Sequence, residues 1–226
     1  MTTRSARSRR HRTHEVDPRS RERQIVAATR ALFDERGAQS ASIEEIARAV
    51  GLARGLMYRH FSSKEELFVL TTADYLREVD ELLRVATQGD DGAEQKLRSL
   101  TIAYAGYCLR YPAHLDSSTS LMQRGAVELR ALVSESVWLQ LGQSMGSCLD
   151  QVAEVIRQGV DEGVFVSEDP DYAANLLWTQ VIGAMHLARL GVGVRLEGPN
   201  VPGLFKVDPD AIVDSCVESA LALVRA

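Results

Sequence analysis

Four times in this chain a helix-opening signal stands directly before a stretch whose apolar residues recur at three- and four-residue spacing. Ser42 with Glu45 and Ser63 with Glu66 have the spacing of a capping box, in which each side chain satisfies a free backbone donor of the other. Asp169 with Pro170 and Asp208 with Pro209 repeat a second signal, a capping acid followed by proline at the first helical position. Only 6 prolines interrupt the 226 residues, and runs of alternating β-branched residues are few. The chain is therefore expected to be all-α, with enough apolar residues to bury a substantial core.

The first helix is expected from about residue 19, carrying Ile25, Ala28, Leu32 and Phe33, with Gly37 as its stop. Ile43, Ile46, Ala47 and Val50 form one face of a second, Gly51 and Leu52 a tight turn, and residues 54 to 61 a short third segment. A fourth helix runs from Lys64 to about Ala86. Further helices are expected over 93 to 110, stopped by Tyr111 and Pro112, over 114 to 124, and as one long helix over 127 to 162. The last two span 170 to 190 and 209 to 225. The Gly- and Pro-rich connection 191 to 207 reads as a long functional or mobile loop.

Charge divides the chain unevenly. Residues 1 to 60 carry 13 Lys and Arg against 7 Asp and Glu, while the remainder carries 13 against 24. A basic module meeting a polyanion, joined to a larger acidic body, explains the asymmetry. Residues 1 to 18, with Arg4, Arg7, Arg9, Arg10 and Arg12, are expected to form a disordered basic arm, either a solubilising tail or a strap for a DNA groove. Cys108, Cys148 and Cys216 have no metal-ligand spacing and read as small core residues in a reducing compartment. With no membrane-length apolar stretch and no secretory signal, the expected location is the cytoplasm.

The segment from Ser42 to Lys64 has the form of a helix-turn-helix, whose second helix lies in the major groove of DNA. Ile43-Glu44-Glu45-Ile46-Ala47, Val50-Gly51-Leu52, Gly55-Leu56-Met57-Tyr58, His60-Phe61 and Ser63-Lys64-Glu65-Glu66-Leu67 resemble the signature of TetR-family regulators, over roughly residues 20 to 70. The resemblance implies a helix-turn-helix domain at residues 19 to 66 and a ligand-binding and dimerisation domain at 67 to 226. It implies phosphate contacts for Ser42, Tyr58, His60 and Lys64, and close backbone approach to DNA at Gly55. Arg54 and Arg59 fall on the groove-facing side, where a guanidinium can pair with guanine. Two residues depart from the pattern: Ala53 removes the usual hydroxyl cap of the third helix, and Leu56 replaces a residue that is commonly small or polar.

The last two helices are apolar on more than one face, which suggests a second chain packed against them. Leu177, Val181, Met185, Val213, Val217 and Leu221 are the expected dimer contacts. For a ligand cavity, which the resemblance implies, Tyr104, Tyr107, Met122, Trp138, Met145, Trp178 and His186 are the candidates, with His114 and Gln180 beside them. Few charges in segments 99 to 109 and 173 to 188 point to a lipophilic or aromatic effector.

The function expected is thus a ligand-responsive regulator, a repressor that grips a palindromic DNA operator as a homodimer. No cofactor, metal or membrane partner is expected. A regulator answering to a protein partner is the alternative. A helical enzyme is a weaker one, since scattered His114, His186, Asp116 and Glu128 match no catalytic spacing.

Overall fold

The computed structural model describes residues 18–37 and 41–225. The basic arm expected over residues 1 to 18 lies outside the described residues, save for Pro18. Ten α-helices and one two-stranded sheet are described. Helices α1 (Pro18–Arg36), α2 (Ile43–Ala49) and α3 (Arg54–Met57) come first, and α4 (Lys64–Ala86) leads away from them. Then follow α5 (Ala93–Arg110), α6 (Pro112–Gln123), α7 (Ala126–Leu132) and α8 (Glu135–Asp161). The chain closes with α9 (Pro170–Leu190), the strands β1 (Val192–Gly198) and β2 (Val201–Lys206), and α10 (Pro209–Val224).

The two Asp-Pro signals act where the sequence places them. Asp169 accepts from the Tyr172 backbone N–H at 2.9 Å and Asp208 from that of Asp210 at 3.2 Å, with the prolines in the first turn of each helix. Packing does the rest. Helix α4 lies along α8 and α5, α9 along α8, and α10 is wedged against α5 and α9. Their inward faces merge with those of α1 to α3 in one continuous core, from Ile25 and Phe33 to Leu221 and Val224. All three cysteines are buried and unbridged, as small core residues should be. Among the described residues, no helix is long and apolar enough to cross a membrane.

Two expectations about helices and loops need correction. The long helix over 127 to 162 is two helices, broken at Val133 and Ser134, both of which are extended. The break is set from a distance. Glu66, buried in the first turn of α4, accepts from the backbone N–H and the hydroxyl of Ser134, and Ser63 Oγ donates to the Leu132 carbonyl at 3.0 Å. Glu66 consequently does not close the capping box expected with Ser63. Its own N–H is capped by Ser63 Oγ at 2.9 Å, but its carboxylate turns to the Ser62 N–H and to Ser134.

The second correction is the connection 191 to 207, which is an antiparallel hairpin rather than a loop. Val194 pairs with Leu204 and Gly193 with Phe205, around a turn where Asn200 has φ 63°. A Cβ at Gly193 would stand 2.3 Å from the tip of the exposed Phe205 ring, so a side chain there would push that ring aside. Val192, Val194, Leu196, Val201, Leu204 and Phe205 are all exposed.

Candidate nucleic-acid interface and sensing cavity

The turn between α2 and α3 is fixed by backbone chemistry. Gly51 adopts φ +67°, a conformation that strains any residue with a side chain, and the Leu52 N–H reaches back to the Ala47 carbonyl at 2.8 Å. Ser42 caps α2 with a complete box. Its Oγ accepts from the Glu45 N–H at 3.2 Å and donates to Glu45 Oε2 at 2.8 Å, while its own N–H donates to the same carboxylate at 3.0 Å. These bonds hold the Glu45 carboxyl below its usual range. The Ser42 hydroxyl is thus already committed, and a phosphate must compete for it or take the backbone beside it.

Helix α3 is a single turn, prolonged by tight turns in which the His60 and Phe61 N–H groups reach the Met57 carbonyl. As the sequence implies, Ala53 provides no side-chain cap. Met57 and Phe61 anchor the segment in the core, with Arg54, Gly55, Leu56, Tyr58 and Arg59 all exposed and His60 half-buried against Phe61. A Cβ at Gly55 would meet nothing in the protein, so no internal contact demands a glycine there. Lys64 is exposed as the first residue of α4, three residues after the Phe61 anchor. Arg54 is not free: it pairs with Glu44 at 2.7 Å, and its pKa is raised first by a hydrogen bond with Tyr58 and then by Glu44. DNA binding at Arg54 must therefore displace Glu44.

Behind this surface, Arg30 of α1 joins the small domain to the body. Its guanidinium meets Asp74 (3.1 Å) and Glu78 on α4, reaches Tyr107 Oη on α5 at 3.2 Å, and lies 4.4 Å from the centre of the Tyr75 ring. Burial opposes the charge, but the bonds to Glu78, Tyr107 and Asp74 outweigh it and raise the Arg30 pKa. Tyr75 Oη donates to Asp34 at 2.6 Å, and burial followed by that carboxylate raises its pKa. Apart from Asp34, one helical turn on, the partners of Arg30 lie 44 to 77 residues away, so the local sequence does not reveal the cluster.

In the body, α4, α5, α8 and α9 enclose a narrow cavity with about 60 Å³ of free space. Of the sequence candidates, Tyr104, Met145 and Trp178 line it. Tyr107 does not: it belongs to the Arg30 cluster and donates to Glu78 at 3.1 Å. Met122 is exposed, Trp138 packs on the outside of the core, and His186 pairs with Thr119 at 2.6 Å away from the cavity. Sequence reasoning missed Leu76, Val79 and Leu83 of α4, which line the cavity but read in sequence as ordinary core.

The residues expected to make dimer contacts lie mostly on buried faces of α9 and α10. Leu177, Val181, Met185, Val217 and Leu221 are buried within the protomer, leaving Val213 half-buried. They supply the inner faces of α9 and α10. Leu177 and Val181 also reach a shallow groove between the two helices, beside Gln180, Ala184, Leu187 and Ile212.

A helix-turn-helix that exposes a basic, aromatic turn, carried on a larger helical body with an apolar cavity, defines a class: helix-turn-helix DNA-binding proteins with a second helical domain. The family model described as "Bacterial regulatory proteins, tetR family" matches residues 25–70. The HTH-type transcriptional repressor KstR2 of Mycolicibacterium smegmatis is 31% identical over 171 residues, which cover 71% of this chain and 74% of that protein. This chain belongs to the TetR family of transcriptional regulators. The HTH-type transcriptional regulator HbdR of Aromatoleum sp. (strain CIB) is 30% identical over 119 residues, which is 51% of this chain and only 50% of that regulator's length. Among solved structures, a bacterial regulatory protein in the tetR family from Rhodococcus RHA1 superposes with a TM-score of 0.65 over 91% of this chain and 97% of the other. At 20% identity, that likeness bears on the fold alone.

Proposed function

We propose that this chain is a repressor that binds a palindromic operator as a homodimer and is released by a lipophilic or aromatic small molecule. Residues 19 to 66 act as the DNA-reading unit and residues 67 to 226 as the sensing and pairing unit. Ser42, Tyr58, His60 and Lys64 hold phosphates, Gly55 admits the DNA backbone, and Arg54 and Arg59 face base edges. KstR2 of Mycolicibacterium smegmatis, matched over 71% of this chain, is named a repressor, which favours repression here.

One observation carries the coupling: α4 serves both ends. Lys64 opens it beside the helix-turn-helix, and Leu76, Val79 and Leu83 further along line the cavity. A cavity of about 60 Å³ is smaller than the roughly 150 Å³ that holds benzene, so an effector must part α4 from α5, α8 and α9. Movement of α4 is passed on through Arg30, which clasps its Asp74 and Glu78 from α1. The recognition turns of two protomers then fall out of step with successive major grooves, and operator affinity drops by a coupling free energy of about 1 to 3 kcal/mol. No charged side chain lines the cavity, which supports a lipophilic effector. Pairing through the outward faces of α9 and α10 is supported by their apolar groove and by the exposed apolar hairpin between them.

Selection of duplexes from a random pool by the full chain, followed by a screen for compounds that release them, tests this reading. It predicts a twofold-symmetric consensus and release by an uncharged apolar compound. Enrichment of no sequence, or of a single unrepeated half-site, contradicts it.

A further inference from the structure

The cavity wall is apolar except at Thr101, whose hydroxyl donates to the Leu97 carbonyl of its own helix, and where Trp178 and Tyr104 meet. Trp178 Nε1–H donates to Tyr104 Oη at 2.9 Å, and His114 Nε2 stands 3.4 Å from the same oxygen on its far side. His114 is wholly buried, packed edge-on to Tyr104 and Tyr107, and its Nδ1 has no hydrogen-bond partner. Burial, with Arg30 nearby, pushes its pKa down to about 3, so the ring is neutral and carries one proton.

Where that proton sits decides what Tyr104 can offer. If it were on Nδ1, an N–H donor would be buried with no acceptor, which folded proteins avoid more strictly than an unmatched lone pair. With the proton on Nε2, His114 and Trp178 both donate to the phenol oxygen and fill its two acceptor positions. The phenol proton is then left with the Cys108 thiol, a weak acceptor that also contacts Tyr104.

We propose that Tyr104 reads the effector through this spare proton, so that the effector is an uncharged apolar molecule carrying a single hydrogen-bond acceptor, a carbonyl or ether oxygen. The assignment rests on the sensing role proposed above and narrows it. His114 acts as a positioning residue, holding the phenol in its donor state. A carboxylate is disfavoured because no cation lines the wall to balance it.

Butyrophenone and butylbenzene differ chiefly by one carbonyl oxygen and serve as probes. Trp138 and Trp178 are the only tryptophans in the chain, so in a Trp138→Phe background the emission reports on Trp178 at the cavity wall. Titrated this way, the ratio of ketone to hydrocarbon affinity is expected to fall about tenfold when Tyr104→Phe is added. An unchanged ratio would overturn the assignment. Should Tyr104→Phe fail to fold, the infrared carbonyl band of butyrophenone bound to the wild-type chain decides. A band shifted to lower frequency supports the hydrogen bond, and one at the free-carbonyl position overturns it. Failure of both probes to bind or to weaken DNA binding would overturn the sensing role together with this inference, whereas equal binding of both would overturn only the part assigned to Tyr104.

Discussion

Around α3, Met57 and Phe61 turn inward and almost every other side chain faces solvent, whereas around the cavity the side chains are mostly buried and apolar. The first surface does its work with groups that add little to folding. The second does its work with residues on which folding depends. A change at one should therefore alter binding and spare stability, and a change at the other should alter both.

The largest separation is expected at Leu100, a buried residue of the cavity wall. Leu100→Ala should cost about 2 to 5 kcal/mol of stability by thermal or denaturant unfolding. Arg59→Ala should cost less than about 0.5 kcal/mol. Similar losses for the two would erase the contrast.

Glu66 tests the joint between the regions. Glu66→Gln leaves the Ser134 and Ser62 donors poorly matched and should cost about 1 to 3 kcal/mol. Burial alone would raise the carboxyl's pKa, but the bonds from Ser134 and Ser62 prevail and lower it below 4.5. A depressed folded pKa means the stabilisation is complete above the ordinary carboxylate range and is lost as pH falls through the folded value. Acid unfolding of Glu66→Gln should accordingly depend less on pH below about 4.5 than that of the wild type.

At the surface around α3, the expected effects are on binding rather than on stability. Arg59→Ala should relax base preference at one position in each half-site, by about 1 to 3 kcal/mol in a competition binding assay. Glu44→Gln releases Arg54 from its 2.7 Å ion pair and should tighten binding to all sequences by less than that. Weaker binding on removal of Glu44 would mean that the pair orients Arg54 rather than withholding it.

The contrast also explains how far the sequence could be read. Helices α4, α5, α9 and α10 begin where Ser63, the Gly92 turn, Asp169 and Asp208 say they should, because a cap is a local bond. The break before α8 was illegible because its cause, Glu66, lies 68 residues away. The hairpin hid behind its glycines and prolines, although Val192, Val194 and Leu196 alternate as a strand requires. Around α3, the exposure of Arg54, Tyr58 and Arg59 about the inward anchors Met57 and Phe61 was legible from the spacing, and the pairing of Arg54 with Glu44 was not. At the cavity, Tyr104, Met145 and Trp178 could be picked out by their chemistry, but Leu76, Val79 and Leu83 have none that distinguishes a wall from a core. The same burial hid which side of α9 and α10 faces outward.

The central claim is that residues 42 to 64 dock on the phosphates of a DNA duplex. Fluorescence anisotropy of a selected duplex, titrated with wild-type chain and with Lys64→Ala across a range of salt, addresses it directly. The account predicts a steep fall of affinity with salt for the wild type, and for Lys64→Ala weaker binding, a slope shallower by about one for each protomer bound, and an unchanged order of preferred sequences. Identical slopes for the two proteins, or a wild-type affinity indifferent to salt, would contradict it.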